Sequence, residues 1–144
     1  MALHCDGSLL ADTASYGGLI RNTIGDPILA FAGKREDASV LSMELLAILR
    51  GVSLCLEKDL LNVSIRSNSK LAVDILNGKI ICPWSVQVLK SRIISLFDQL
   101  HRKEIQHAWR EVNQPADYVA AIDVGNGESI LYPLDLPREL LDLI

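Results

Sequence analysis

The sequence predicts an α/β fold, built as a mixed sheet with helices on both faces. Three observations carry that prediction. Residues 3–33 form three short apolar runs separated by turn signals, the pattern of an antiparallel meander. From residue 39 the apolar spacing changes to the helical period. Beyond that helix, strand-like and helix-like stretches alternate, and a chain with both features needs one mixed sheet covered on two sides.

The first strand is Leu3-His4-Cys5-Asp6-Gly7-Ser8, which ends in a Gly-Ser turn. A loop over 8–15 follows, and alternation resumes at 16–22, where Gly17 and Gly18 signal a bulge or a close backbone approach. Gly25-Asp26-Pro27 is a turn, 28–33 the returning strand and 34–37 a charged loop. Leu41, Leu45, Ile48, Leu49, Val52 and Leu56 then put one apolar face on a helix over 39–58. A strand over 60–65 precedes a short helix over 69–76, with Ser69 as its N-cap and Gly78 closing it. Cys82-Pro83-Trp84 breaks the chain before a third helix over 85–100. A strand over 104–109, a turn at Asn113-Gln114-Pro115 and a helix over 116–124 complete the order β-β-β-α-β-α-α-β-α, with five strands. Residues 125–128 read as loop, and the tail has room for one or two helical turns. The expected division is a domain over 1–128 and a C-terminal tail over 129–144.

The 144 residues, 49% of them hydrophobic, suffice for one core. No apolar run reaches the ~20 residues of a membrane span, and the first residues are too polar for a signal peptide. The expectation is a soluble monomer inside the cell, nuclear or cytoplasmic, with no membrane partner. A net charge of −4 argues against binding nucleic acid by bulk electrostatics but allows a local basic face. Lys90, Arg92, Arg102, Lys103 and Arg110 against Asp98 and Glu104 leave a local excess of +3. A solvated helix face explains those charges equally well. Trp84 and Trp109 are candidates for stacking on bases, although packing is the commoner fate of a tryptophan. Cys5, Cys55 and Cys82 form no C-x-x-C pair, which suits buried, reduced thiols.

Four side chains fall at strand ends and helix starts. Asp6 ends the first strand, where α/β sheets gather their ligands; alone, an Asp before Gly is ordinarily a turn residue. Glu44 sits among apolar neighbours near the start of the long helix, and a buried charge needs a partner; as a boundary residue it needs only the helix dipole. Asn68 stands between a strand and the helix that Ser69 caps. Asp117 opens the last helix, where an acid also has a purely structural reason.

The order of elements, with Cys5-Asp6-Gly7-Ser8, Tyr16-Gly17-Gly18-Leu19-Ile20-Arg21-Asn22, the run from Met43-Glu44-Leu45 to Val52, Ser67-Asn68-Ser69-Lys70 and the run from Arg110-Glu111 to Ala116-Asp117, resembles the ribonuclease H fold. The resemblance is close to the plant-type, reverse-transcriptase-derived (retrotransposon) RNase H-like domain and covers about residues 2–125. It implies a site in which acidic residues hold two Mg²⁺ ions, or Mn²⁺, and cut the RNA strand of an RNA–DNA hybrid by two-metal hydrolysis. By the same resemblance the metal ligands are Asp6, bridging both ions, with Glu44, Asn68 and Asp117. His107 stands roughly where many RNases H keep a histidine that helps product leave; a plain strand histidine is the competing reading.

One ligand departs from the family pattern. Asn68 occupies the place of an Asp, and an amide offers one neutral carbonyl oxygen where a carboxylate offers two that share a charge. The implied consequence is weaker metal binding and hydrolysis far below that of an intact site. Residues 9–15 also lack the Gly-Asn-Pro-Gly run common in relatives. The alternative is an inactive relic that binds nucleic acid or protein, favoured by any apolar patch formed by Leu131, Leu134, Leu136, Leu140 and Leu141. No P-loop, G-x-S-x-G, H-E-x-x-H or G-x-G-x-x-G occurs, which counts against an α/β enzyme of another kind.

Overall fold

A computed structural model of the chain describes residues 1–10, 13–35, 39–109, 113–122 and 127–144. Its elements are β1 (Ala2–Leu10), β2 (Thr13–Arg21), β3 (Pro27–Arg35), α1 (Val40–Glu57), β4 (Asn62–Ser67), α2 (Lys70–Leu76), α3 (Gln87–Phe97), β5 (Arg102–His107), α4 (Gln114–Ala120), β6 (Glu128–Leu131) and α5 (Arg138–Leu141). They form one sheet in the order β5-β4-β1-β2-β3-β6. The β1–β4 and β4–β5 pairs are parallel; β1–β2, β2–β3 and β3–β6 are antiparallel. The predicted mixed α/β architecture with helices on both faces is the one observed.

Two details differ from the expectation. The sheet has a sixth strand: β6 pairs with β3 from Ala30↔Leu131 to Gly33↔Glu128. Four residues without alternation give no strand signal of their own, so the open edge of β3 decides their conformation. Within the stretch expected as a loop over 8–15, residues 8–10 and 13–15 are instead paired strand, with Ser8↔Ser15 and Leu10↔Thr13 in register. Its serines misled the polarity pattern, since the Ser8 and Ser15 hydroxyls bond each other across the strands at 2.8 Å. Asp6 is therefore inside β1, not at its end. Residues 11–12, the 36–37 part of the charged loop, Arg110 with Glu111 and Val112, and positions 123–126 lie outside the described residues.

The side-chain period of two sorts β3 between two cores. Leu29 and Phe31 join Leu3, Leu45, Ile48, Ile65 and Ile93 under α1, α2 and α3, while Ala30 and Ala32 join Leu19, Val119, Leu136 and Leu140 on the face covered by α4 and α5. Each large side chain removed from water contributes ~1.5–3 kcal/mol. Residues 128–144 thus supply one strand and two buried leucines. Ser39 caps α1 by accepting from the Ser42 amide at 3.1 Å, and the Ser42 hydroxyl accepts from the Ser39 amide at 3.0 Å. The three cysteines are buried and unpaired, as expected. Among the described residues no helix is long and apolar enough to cross a membrane.

Candidate functional site

The rim where β4 ends gathers the polar groups. The β1–β4 register stops at Cys5↔Ser67, whereas β1 continues beside β2, so Asp6 is the first residue of β1 past its parallel neighbour. Two glycines set the helices against this point. A Cβ on Gly7 would lie 2.6 Å from the Glu44 nitrogen, so its absence lets α1 sit down on β1. On the other face a Cβ on Gly17 would lie 2.7 Å from the Ala120 nitrogen, which lets α4 sit on β2. Gly17 is the register partner of Asp6, so Asp6 shares the α4 face and Glu44 reaches it round the rim from the α1 face.

Asp6 is 3% exposed and Glu44 5% exposed. Burial, and then the nearby Asp6 carboxylate, push the Glu44 carboxyl up to about 8, with the Gly7 amide and the Ser67 hydroxyl opposing through hydrogen bonds to its charged form. Glu44 therefore keeps its proton at neutral pH. The Glu44 Oε2 and the Asn68 Oδ1 are buried without a hydrogen-bond partner. Together with the Asp6 carboxylate these are hard oxygen donors, the kind a divalent cation such as Mg²⁺ takes. Asp6, Glu44 and Asn68 fit one cation on that ground.

Asp117 stands apart from this pair. The backbone of α4 begins beside the rim, because the buried Asn113 spends its side chain on the Cys5 carbonyl, donating at 2.8 Å, instead of capping the helix. Asp117 lies one turn further on and is exposed. Among the described residues no three His, Cys, Asp or Glu side chains are grouped to hold a metal. His107 ends β5 in register with Ser67, so β4 lies between it and β1. Its exposed ring meets Trp109 edge-on at 5.2 Å.

Several neighbours of the site carried no clear sequence signal. Asn113 reads in sequence only as a turn residue before Pro115. His4, buried beside it, is pushed down to about 4 by burial and by Arg21 and Arg66, against a smaller opposing hydrogen bond with Asn113. The tryptophans reverse expectation: Trp84 is 88% and Trp109 72% exposed, since each follows a break or a strand end and points away from both cores. The expected basic face is divided. Lys90 and Arg92 lie on α3, while Arg102 and Lys103 lie on the edge strand β5 with the Lys103 ammonium 5.1 Å from the Phe97 ring centre. Of the tail leucines, Leu136 and Leu140 are core, and Leu134 and Leu141 are exposed.

Solved structures share this fold. RNase H1 of the halophilic archaeon Halobacterium salinarum superposes with a TM-score of 0.78 at 18% identity, over 83% of this chain and 92% of that one. The N-terminal RNase H domain of a Mycobacterium tuberculosis protein, solved as a fusion to maltose-binding protein, gives 0.79 at 18%, over 83% and 88%. LC11-RNase H1, solved in complex with an RNA/DNA hybrid, gives 0.74 at 21%, over 82% and 91%. No curated protein matches the chain in sequence. Residues 4–122 match the reverse transcriptase-like family, and with that match spanning most of its length the protein belongs to this family and carries the ribonuclease H-like fold.

Proposed function

We propose that the chain binds RNA–DNA hybrid across the rim beside Asp6, and that its cation-dependent hydrolysis of the RNA strand runs far below that of a site with a carboxylate at position 68. The observation that carries this reading is the buried Asp6–Glu44 pair, in which the Glu44 Oε2 has no hydrogen-bond partner, next to the β4 end where the Asn68 Oδ1 is likewise unsatisfied. The family and its hybrid-bound relative support the substrate class.

Asp6, Glu44 and the Asn68 carbonyl would hold the first divalent cation, with Asp117 as the ligand for a second. A bound cation would supply an activated water and a counter-charge for the leaving oxygen. Glu44 must give up its proton before it serves as a ligand, and the buried position keeps that proton on at neutral pH. Asn68 contributes an oxygen without charge, so the site offers three negative charges where four carboxylates would offer four. The Gly7 amide and the Ser67 hydroxyl orient the Glu44 carboxyl in the meantime.

A binding module without catalysis is the second reading, favoured by the neutral Asn68 and the exposed, set-apart Asp117. The deciding experiment is cleavage of a labelled RNA–DNA hybrid in Mg²⁺ and in Mn²⁺ by the native chain, Asn68→Asp and Asp6→Asn. Slow native cleavage that rises at least tenfold in Asn68→Asp and disappears in Asp6→Asn is the expected result. Hybrid binding without cleavage in any folded variant leaves the binding module; neither binding nor cleavage removes both readings.

A further inference from the structure

The two edges of the sheet are unlike. At one edge β5 shows Arg102, Lys103, Glu104, Gln106 and His107 to solvent, and the Asn77 amide donates to the Ile105 carbonyl at 3.3 Å. Charged side chains and a covered carbonyl are ordinary defences of a strand edge against pairing with another chain. At the other edge β6 carries a single charge, Glu128, which is bound within the protein. The Arg50 Nε and Nη2 donate to its two oxygens at 2.9 Å each, and the Tyr16 hydroxyl donates to it at 2.6 Å. Beyond Glu128 stand Ile130 and Tyr132, both partly exposed, and Leu134, wholly exposed. β6 also lies outside the residues that match the family. Its edge is undefended.

The ladder fixes which backbone groups that edge offers. The Lys34 amide donates to the Gly127 carbonyl at 3.1 Å, and β3 meets β6 at Gly33↔Glu128, Ala32↔Ser129 and Phe31↔Ile130. Antiparallel bonding alternates, so residues 127, 129 and 131 bond β3, while the N–H and C=O of Glu128 and Ile130 point away from it. The next outward amide, on Tyr132, donates to the Asp135 carboxylate at 3.3 Å, which closes that end. We infer that this edge pairs with the same edge of a second copy of the chain, antiparallel about a two-fold axis at Ile130. In that register Ile130 faces Ile130 of the second copy, and Glu128 faces Tyr132. No like charges stand opposite, which is the self-complementarity a two-fold contact requires. Ile130 exchanges two main-chain bonds across the axis, and each Glu128 amide finds a Tyr132 carbonyl. The contact is a single strand pair at the low end of interface size, so the dimer is weak and forms across micromolar concentrations. Asp6 lies three strands from this edge, ~14 Å at ~4.8 Å per strand, so both rims stay open. The inference does not depend on the hybrid-binding reading.

Sedimentation velocity of the full chain over a dilution series tests it, together with amide exchange at low and high protein concentration. The expected mass climbs from one chain towards two. Exchange at the Glu128 and Ile130 amides slows as it climbs, while Lys103 and His107 on the β5 edge are unaffected. Ile130→Lys puts like charges on the axis and should weaken the dimer at least about tenfold. Leu134→Asp, at a side chain wholly in solvent, should weaken it without lowering the melting temperature of the dilute protein. A mass of one chain at every concentration, the state expected from the sequence, overturns the inference. A dimer that survives both substitutions, or one that protects the β5 amides instead, overturns it as well.

Discussion

Glu44 is where burial and function meet in one side chain. A carboxyl at 5% exposure beside a second carboxyl stays protonated to about pH 8. A cation that takes the ionised form must displace that proton, so its affinity rises with pH until Glu44 ionises unaided. Calorimetric titration with Mn²⁺ should accordingly give affinities that climb nearly tenfold from pH 6 to 7 and about fivefold from 7 to 8, with close to one proton released per ion at pH 7. Glu44→Gln should bind weakly with no such dependence, and a flat profile in the native chain would mean that Glu44 is not a ligand. Asn68→Asp restores a charge and should tighten Mn²⁺ at least tenfold, about 1.4 kcal/mol. Asp6, Glu44 and Asn68 were picked out by their joint places at strand ends and helix starts and by the family resemblance of the runs around them, and the structure brings the first two together. Asn113 was not, because its role depends on a carbonyl 108 positions away.

The same distinction governs the elements. The switch from period two to the helical period made α1 readable, and Ser39 and Ser69 marked two helix starts. β6 was unreadable because its conformation is supplied by the edge of β3 and by one ion pair. Arg50 and Tyr16 both hold Glu128, and those bonds keep its carboxyl below the usual range even though burial pushes the other way. Removing that charge by Glu128→Gln should raise amide exchange in β6 by tens of fold, about 1–3 kcal/mol of local protection, while β1 amides keep theirs. Equal loss in both strands would show that β6 unfolds only with the whole sheet. Gly7 is the harder constraint, since a Cβ there meets the α1 backbone itself and no side chain can yield. Gly7→Ala should cost about 1–3 kcal/mol in urea denaturation and separate Glu44 from Asp6. An unshifted midpoint would mean that α1 moves away freely.

At the scale of the molecule, two buried titratable groups, His4 on β1 and Glu44 on α1, oppose each other. His4 has a folded value of about 4 against an ordinary 6.5, so the unfolded chain takes up a proton first and stability falls as pH drops through that window. Glu44 has a folded value of about 8 against an ordinary 4.5, so here the native state keeps the proton longer and stability falls as pH rises from 4.5 to 8. Between about 4.5 and 6.5 the two slopes cancel. From 6.5 to 8 the Glu44 slope remains, about 1.4 kcal/mol per pH unit. Below 4.5 His4 continues to lose stability, and protonation of Glu128, held low by Arg50 and Tyr16, adds to the loss. Urea denaturation of the cation-free protein should therefore give a stability plateau between pH 4.5 and 6.5 with a falling limb on each side. In Glu44→Gln the fall between pH 6.5 and 8 should vanish and stability should still be rising at pH 6, because the compensating slope is gone and the His4 slope is left alone. An alkaline limb that survives the substitution would assign it to another group and remove Glu44 from the account of both stability and cation binding.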